Sequence, residues 1–351
     1  RPDLGVRTAR DPAGALGAWS FEGSLAVAVP DGTRRLEYGQ ALQALKERAT
    51  GPFRVVVGLG LHRPMTDAEL RPLEGWDWIQ HDPDDTVPTE TIAGIPGRVA
   101  QAVAQADACV SVGVAELHQY AGLSGGHKGV AIGCGGRDTI LALHGRDWIT
   151  RPGVQVGRLE GNPFREVVDR LGEAAGCRLA LVRCGEEWIA GPPREVLKVA
   201  LERLDPWISV PSPATHAWIR VPPVKAVSFY QASRAATYLA LSPRPPLEDG
   251  ALLVLEAACP EGLGAEQGFV AALRSHAPPW TSLLSGAHPQ GPGAQRAVML
   301  ALLAQRYRLR VTGCRRAADL RAVGIDATSD PARPGSDWLE IPSPFQCLPQ
   351  L

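Results

Sequence analysis

Ala108-Cys109-Val110-Ser111-Val112-Gly113-Val114 is followed, after Ala115, by Glu116-Leu117-His118-Gln119-Tyr120-Ala121-Gly122-Leu123-Ser124-Gly125-Gly126-His127-Lys128. The first stretch, built of small and β-branched residues, reads as a short buried strand. The second lets a histidine go from the strand end, turns on Ser-Gly-Gly and reaches a lysine. Composition then stays small and glycine-rich until Asp138 to His144, which reads as a helix ending on another histidine. Glycines without side chains let backbone N–H groups approach a ligand, and such nests suit phosphate or carboxylate. A strand, a glycine turn and a helix in this order are the signature of an α/β chain.

Two earlier segments repeat the pattern. Ser24 to Val29 is an apolar strand ended by Pro30-Asp31-Gly32-Thr33-Arg34-Arg35, and Leu36 to Arg48 carries helical periodicity with Leu42 and Leu45 on one side. Arg54 to Leu61 is a second strand, stopped at His62-Arg63-Pro64-Met65-Thr66. There Thr66, with Glu69 three residues on, reads as a capping box. Three strands thus release polar residues at their C-terminal ends, where open parallel sheets bind ligands. Asp31, Arg34, His62 and His118 are therefore expected at one mouth.

Further along, Asn162 to Ala175 reads as a helix with Phe164, Val167, Val168 and Leu171 inward. Arg178 to Val182 and Trp188 to Ala190 read as strands about a Gly185-Glu186-Glu187 turn, and Pro193 to Leu204 as a helix. Pro206 to Pro213 holds three prolines and reads as a linker. Beyond it, Ala226 to Gln231 looks strand-like, with a helix from Tyr230 to Leu241. Ala251 to Ala257 is a buried strand running into the glycine turn Glu261 to Gly264; Gln295 to Gln305 is helical, and Arg308 to Thr312 and Trp338 to Ile341 are strands. The expected architecture is two α/β domains with mainly parallel sheets and an active-site cleft between them. The first covers 1–207, with a terminal strand in 337–351 returning to it, and the second covers 214–336.

The length of 351 residues suits two cores, since single cores stop growing at roughly 250–300 residues. A formal charge of −1 with interspersed signs leaves no electrostatic footprint for nucleic acid or anionic lipid. No apolar run approaches the roughly 20 residues of a membrane span. The chain opens on Arg1 and not Met, with no signal-peptide pattern. Seven cysteines, at 109, 134, 177, 184, 259, 314 and 347, are scattered without a CxxC pair. They read as buried thiols, giving the expectation of a cytoplasmic protein.

Taken singly, His62, His118 and His144 each have a plain reading as a hydrogen-bonded turn or helix-end residue. Together they suggest chemistry. Histidine titrates near neutrality, so two of them can trade acid and base roles across a substrate. A third can ligate a metal through neutral imidazole. Arg34 offers a bidentate fork to a carboxylate, or is half of a solvated Arg-Arg pair. His81 beside Asp82, Asp84 and Asp85 reads as an acidic surface loop more than a metal site. His127, His216, His276 and His288 have no evident role, and Cys134 reads as packing. From the second domain, Tyr230, Gln231, Arg234 and the Glu261–Gly264 turn are candidates to close the site; the plain alternative is a ligand-free loop and helix start. A zinc-dependent hydrolase built on His62, His118 and His144 is the competing class, and it leaves Lys128 without a role.

These motifs resemble those of the nickel-pincer-nucleotide-dependent lactate racemases and related 2-hydroxyacid racemases and epimerases. Asp31-Gly32-Thr33-Arg34 is similar to the family's Asp-x-Thr-Arg turn at cofactor and substrate. Gly60-Leu61-His62-Arg63-Pro64 resembles its Gly-x-His-Arg-Pro motif, whose histidine is a catalytic base, and His118 falls on the second catalytic histidine. Ser124-Gly125-Gly126-His127-Lys128 resembles the segment whose lysine carries the cofactor. His144, sixteen residues beyond, falls on the nickel-ligating histidine, and Tyr230-Gln231 matches a Tyr-Gln pair of the second domain. The resemblance implies an isomerase acting on a small 2-hydroxyacid. Its cofactor would be a pyridinium-3,5-bisthiocarboxylic acid mononucleotide holding nickel, attached covalently to Lys128. Asp31, Thr33, Ser124, Gly125 and Gly126 would line the cofactor, with His144 on the metal, His62 and His118 as acid and base, and Arg34, Tyr230, Gln231 and Arg234 on the substrate. It also implies cofactor-synthesis enzymes as partners. Two departures fall on the substrate side: Arg234 stands where the family has lysine, and a tryptophan expected near the start of the Gln295 helix is replaced by Pro292 or a neighbour. A substrate other than lactate, including a sugar acid, is thereby expected.

Overall fold

The computed structural model describes residues 5–34, 36–286 and 289–351, so His288 lies outside the described residues. The chain forms two compact units. The first comprises Arg1–Glu116, Tyr120–His144 and Arg151–Asp205; the second comprises Leu117–Gln119, Gly145–Thr150 and Pro206–Leu351.

The first unit is built on a seven-stranded sheet. In chain order its strands are β1 (Arg7–Ala9), β2 (Leu25–Pro30), β3 (Phe53–Gly58), β4 (Trp78–Gln80), β5 (Ala108–Val114), β6 (Cys177–Cys184) and β7 (Glu187–Gly191). They lie side by side as β1-β7-β6-β5-β2-β3-β4. β6, β5, β2, β3 and β4 are mutually parallel; at one edge β7 runs antiparallel to β6, and β1, antiparallel to β7, runs in the sense of the other five. Parallel strands are covered on both faces, which explains their unbroken apolar runs. Alternation still separates the faces. Val27, Val29, Val55, Val57, Val110 and Leu181 fill one side. Ala26, Ala28 and Cys109, with Val56, Val103 and Val130, fill the other. The chain winds from β2 to β3 and β4, then crosses to β5 and β6 on β2's other side. The winding therefore reverses between β2 and β5, and ligands of open α/β sheets bind beyond the strand ends at such a point.

The second unit has a five-stranded, wholly parallel sheet. Its strands are β9 (Ala214–Arg220), β10 (Leu247–Glu256), β11 (Arg308–Thr312), β12 (Asp326–Ala327) and β13 (Leu339–Ile341), ordered β12-β11-β10-β9-β13. A separate parallel pair joins β8 (Trp207–Ser209) to β14 (Leu348–Gln350). The proline-rich stretch after Asp205 thus begins the second unit and supplies a strand to it. The terminal residues 337–351 do not return to the first unit's sheet: β13 is an edge strand on β9, and β14 closes on β8. Ala226 to Gln231 is not a strand either. Ser228 accepts from the backbone N–H of Gln231 and caps the helix Phe229–Ala240, which is buried along all but Arg234. The other helices fall close to expectation, as with Pro163–Ala174, capped by Asn162, and Pro193–Leu204. No helix among the described residues is long and apolar enough to cross a membrane.

Candidate functional site

Residues at the ends of β2 and β3 meet. Because these strands are adjacent and parallel, the turn after Pro30 and the turn after Gly58 face the same way, and Asp31 Oδ2 lies 2.6 Å from His62 Nδ1. The other Asp31 oxygen accepts from the Thr33 backbone N–H at 3.1 Å and its hydroxyl at 2.6 Å. Burial by itself would raise the Asp31 carboxyl, but the adjacent His62 ring and the Thr33 bonds hold it well below the usual carboxylate range. An ionised carboxylate only accepts, so His62 carries its proton on Nδ1 and presents its lone pair at Nε2. The side chain is 30% exposed, so that nitrogen belongs to a reachable ring. The capping box is present: Thr66 accepts from Glu69 N–H, and Glu69 from Thr66 N–H.

Arg34 and Glu116 bridge the winding reversal. Their side chains form an ion pair, each 14% exposed, linking the turn after β2 to the chain leaving β5. Sequence reading nominated Arg34 for a substrate carboxylate and gave Glu116 no role. The structure shows that the fork already faces a carboxylate of this chain.

The Ser-Gly-Gly turn is held from inside. Ser124 Oγ donates to Val114 O at 2.6 Å and accepts from Glu116 N at 3.0 Å, so the hydroxyl braces the turn. Gly125 and Gly126 have φ of 86° and 61°, and a Cβ on Gly126 would fall 2.9 Å from Leu197. Their glycine requirement is met by backbone conformation and packing. His127 is buried, with Nδ1 3.2 Å from Asp169 and Nε2 3.2 Å from Cys177 O, and Asp169 also pairs with Arg165. Arg165 in turn donates to the carbonyls of Ala121 and Leu123, tying the chain that enters the turn to the helix Pro163–Ala174. Lys128, half-buried, opens the short helix Lys128–Ala131 on this framework.

His144 ends the helix Arg137–Leu143. Its Nδ1 lies 2.8 Å from Ile140 O, and a carbonyl accepts only, so the lone pair is at Nε2. Tyr120 and Phe164 meet the ring edge-on, with centroids 5.7 and 5.3 Å away. A half-buried amine at Lys128 and an imidazole fixed in one tautomer at His144 suit a covalently tethered, nickel-holding group. Both are in the first unit.

The remaining nominated residues lie in the second unit. His118 is half-buried on the short strand Leu117–His118. Tyr230 and Gln231, 4% and 6% exposed, open the helix Phe229–Ala240, and the Arg234 guanidinium sits 5.3 Å above the Tyr230 ring. His81 is not on an acidic surface loop but buried at the end of β4, where burial pushes it down to about 4. The zinc reading gains no support: among the described residues, no three His, Cys, Asp or Glu side chains are grouped to hold a metal.

Residues 18–157 match the family model for the lactate racemase N-terminal domain. Over that stretch the chain is similar to lactate racemases. The match contains Asp31, Arg34, His62, His118, Lys128 and His144, and stops short of Tyr230, Gln231 and Arg234. The lactate racemase of Thermoanaerobacterium thermosaccharolyticum is 28% identical over 147 residues, 39% of this chain and 34% of that protein. That of Lactiplantibacillus plantarum is 31% identical over 140 residues, 37% of this chain and 32% of the relative. The chain thus spans about a third of the length of the curated relatives it matches. In fold the likeness extends further. The lactate racemase apoprotein of T. thermosaccharolyticum superposes with a TM-score of 0.82 at 18% identity, covering 100% of this chain and 96% of that one. A Thermotoga maritima protein solved by structural genomics gives 0.70 at 17% identity, covering 95% and 94%. The lactate racemase fold therefore continues through the second unit, where sequence similarity has faded.

Proposed function

We propose that this protein is a racemase or epimerase of a small 2-hydroxyacid, working with a nickel-pincer nucleotide attached to Lys128. The observation that carries the reading is the Asp31–His62 pair, which presents a correctly tautomerised base at the ligand-binding end of a domain of the lactate racemase type. The C–H of a plain 2-hydroxyacid is too weakly acidic for histidine to remove its proton. When bound, the nucleotide supplies a reversible hydride acceptor that makes the bond breakable.

The chain's own residues do the rest. His62 Nε2 takes the 2-hydroxyl proton of one enantiomer, and the Asp31 carboxylate steadies the imidazolium that results. His118 serves the other enantiomer in the same way, so the reaction has no intrinsic stereochemical preference. Arg34 binds the substrate carboxylate by exchanging its Glu116 partner for it. Lys128 Nζ holds the nucleotide, His144 Nε2 ligates nickel, and Tyr230, Gln231 and Arg234 contact the substrate.

The test is intact-mass spectrometry and nickel analysis of protein produced together with the cofactor-synthesis enzymes, followed by assays on 2-hydroxyacid enantiomers. The reading requires added mass on Lys128, about one nickel per chain, and interconversion lost in His62→Ala and His118→Ala with the cofactor still bound. Unmodified Lys128 in such protein would sink it.

A further inference from the structure

Leu117, His118 and Gln119 belong to the second unit, although the chain on either side of them belongs to the first. Leu117 and Gln119 are buried, and His118 between them is half-buried. Both flanks of the histidine are anchored. The Leu117 N–H donates to Phe345 O at 2.8 Å, and the Phe345 ring meets Tyr238 edge-on with centroids 5.4 Å apart. On the other flank the Gln119 carbonyl oxygen accepts from Arg296 Nη1 at 2.7 Å and from Thr237 Oγ1 at 2.9 Å. Arg296 Nη1 also donates to Thr237 Oγ1 at 2.9 Å. A guanidinium only donates, so the Gln119 atom facing it is oxygen, and the three polar groups close a triangle.

Arg296 is an unusual residue to find there. It is 3% exposed, on the helix Ala294–Ala304, whose other buried positions are alanine, valine, methionine and leucine. Taking a guanidinium out of water is costly, and an apolar side chain of similar volume often serves stability as well or better. What the apolar side chain lacks is direction. Hydrogen bonds hold the Gln119 carboxamide at a set angle, and the residue one peptide bond away shares the constraint. Acid–base groups need such constraint, since a misplacement of about 1 Å can cost about 100-fold in rate.

We propose that Arg296 is a positioning residue for His118: with Thr237 it pins Gln119 and so fixes the imidazole that precedes it, an inference that rests on the hydroxyacid reading above.

The experiment uses the full chain, with three variants. Arg296→Met keeps bulk and removes every donor, Thr237→Val removes only the hydroxyl and covers the case in which the first does not fold, and Arg296→Lys restores a charged donor. Hydrogen exchange of the peptide spanning residues 117–119 is read on cofactor-free protein, together with the urea midpoint. kcat and KM are read on protein made with the cofactor-synthesis enzymes, against a panel of 2-hydroxyacid enantiomers headed by L-lactate and L-malate. In Arg296→Met the 117–119 peptide should exchange roughly tenfold faster or more, with the rest of the chain little changed. Its kcat should fall roughly tenfold to 100-fold with KM within about threefold of wild type. Thr237→Val should move both quantities the same way by less, and Arg296→Lys should recover part of kcat. Unmoved exchange at 117–119 overturns the proposal. So does faster exchange there with kcat within about threefold of wild type, or exchange rising throughout the chain as the urea midpoint falls, which is the mark of a merely structural role. Wild type that is inert on the whole panel removes the hydroxyacid reading instead, and leaves a responsive 117–119 peptide as evidence for the anchor alone.

Discussion

Asp31 and His62 stand 31 positions apart in sequence, yet a carboxylate oxygen of one and a ring nitrogen of the other lie 2.6 Å apart. Adjacent parallel strands bring them together, and the carboxylate decides which histidine nitrogen is basic. Asp31→Asn keeps the shape but can present its amide N–H₂ to Nδ1 and favour the wrong tautomer. We expect kcat to fall about 100-fold or more with little change in thermal stability or cofactor loading. Rates and loading measured on the same preparation check this; a kcat within about threefold of wild type would remove Asp31 from the mechanism.

Glu116 is paired with Arg34. If the fork changes partner on binding, Glu116→Gln should lower KM for the substrate by about three- to tenfold by weakening the internal ion pair. Steady-state kinetics on the loaded enzyme decide the matter: a raised KM would mean that Glu116 aims Arg34 and does not compete for it.

Attachment and metal binding are separable. Lys128→Arg preserves positive charge but offers no amine for the tether, so its intact mass should equal that of the bare chain. If the His144 imidazole is the proposed nickel ligand, His144→Ala should retain the mass increment and lose most of its nickel. Nickel retained at the wild-type level in His144→Ala would move the ligand elsewhere.

His81 makes stability depend on pH. Its pKa is lowered in the folded protein, from 6.5 to about 4, chiefly by burial, against the opposing pull of the nearby Gly135 backbone and the charges of Asp82 and Asp84. The unfolded chain therefore binds more protons between these values, and stability must fall as pH drops from 6.5 towards 4, by about 3 kcal/mol. Above 6.5 the contribution is fully present. His81→Gln should flatten the slope across that window in urea titrations; an unchanged slope would show that His81 has the same pKa in the folded and the unfolded chain.

Much of the fold could be read from local pattern. The strand Ala108–Val114 and the helix Pro193–Leu204 fall where their apolar runs place them. So does the capping box at Thr66. The failures are non-local or depend on a cap. Ala226 to Gln231 looks extended until Ser228 is seen to cap a helix, and residues 337–351 join the second unit and not the first because strand pairing across 120 or more positions leaves no local trace. The same holds for chemistry. His62, Lys128 and His144 stand out by motif, whereas the Arg34–Glu116 pair and the Gln119–Arg296–Thr237 cluster arise only when strands and helices meet. Glu116 gave a faint signal, as an acidic residue just past a buried strand. Arg296, inside an apolar helical stripe, could have been noticed as a charge on a face meant for the core.

Leu117–Gln119 and Gly145–Thr150 belong to the second unit although the chain on either side of each belongs to the first. Leu117 N–H bonds to Phe345 O, and Arg146 to Gly286 O, so these excursions are stitched to residues near the far end of the sequence. A single cut after Asp205 therefore yields two incomplete products: one piece keeps His118 but not its surroundings, the other keeps the surroundings but not His118. The units are not interchangeable cassettes. Shuffling either one between relatives would sever a histidine from its own neighbourhood, so the two must be inherited, redesigned and refolded together.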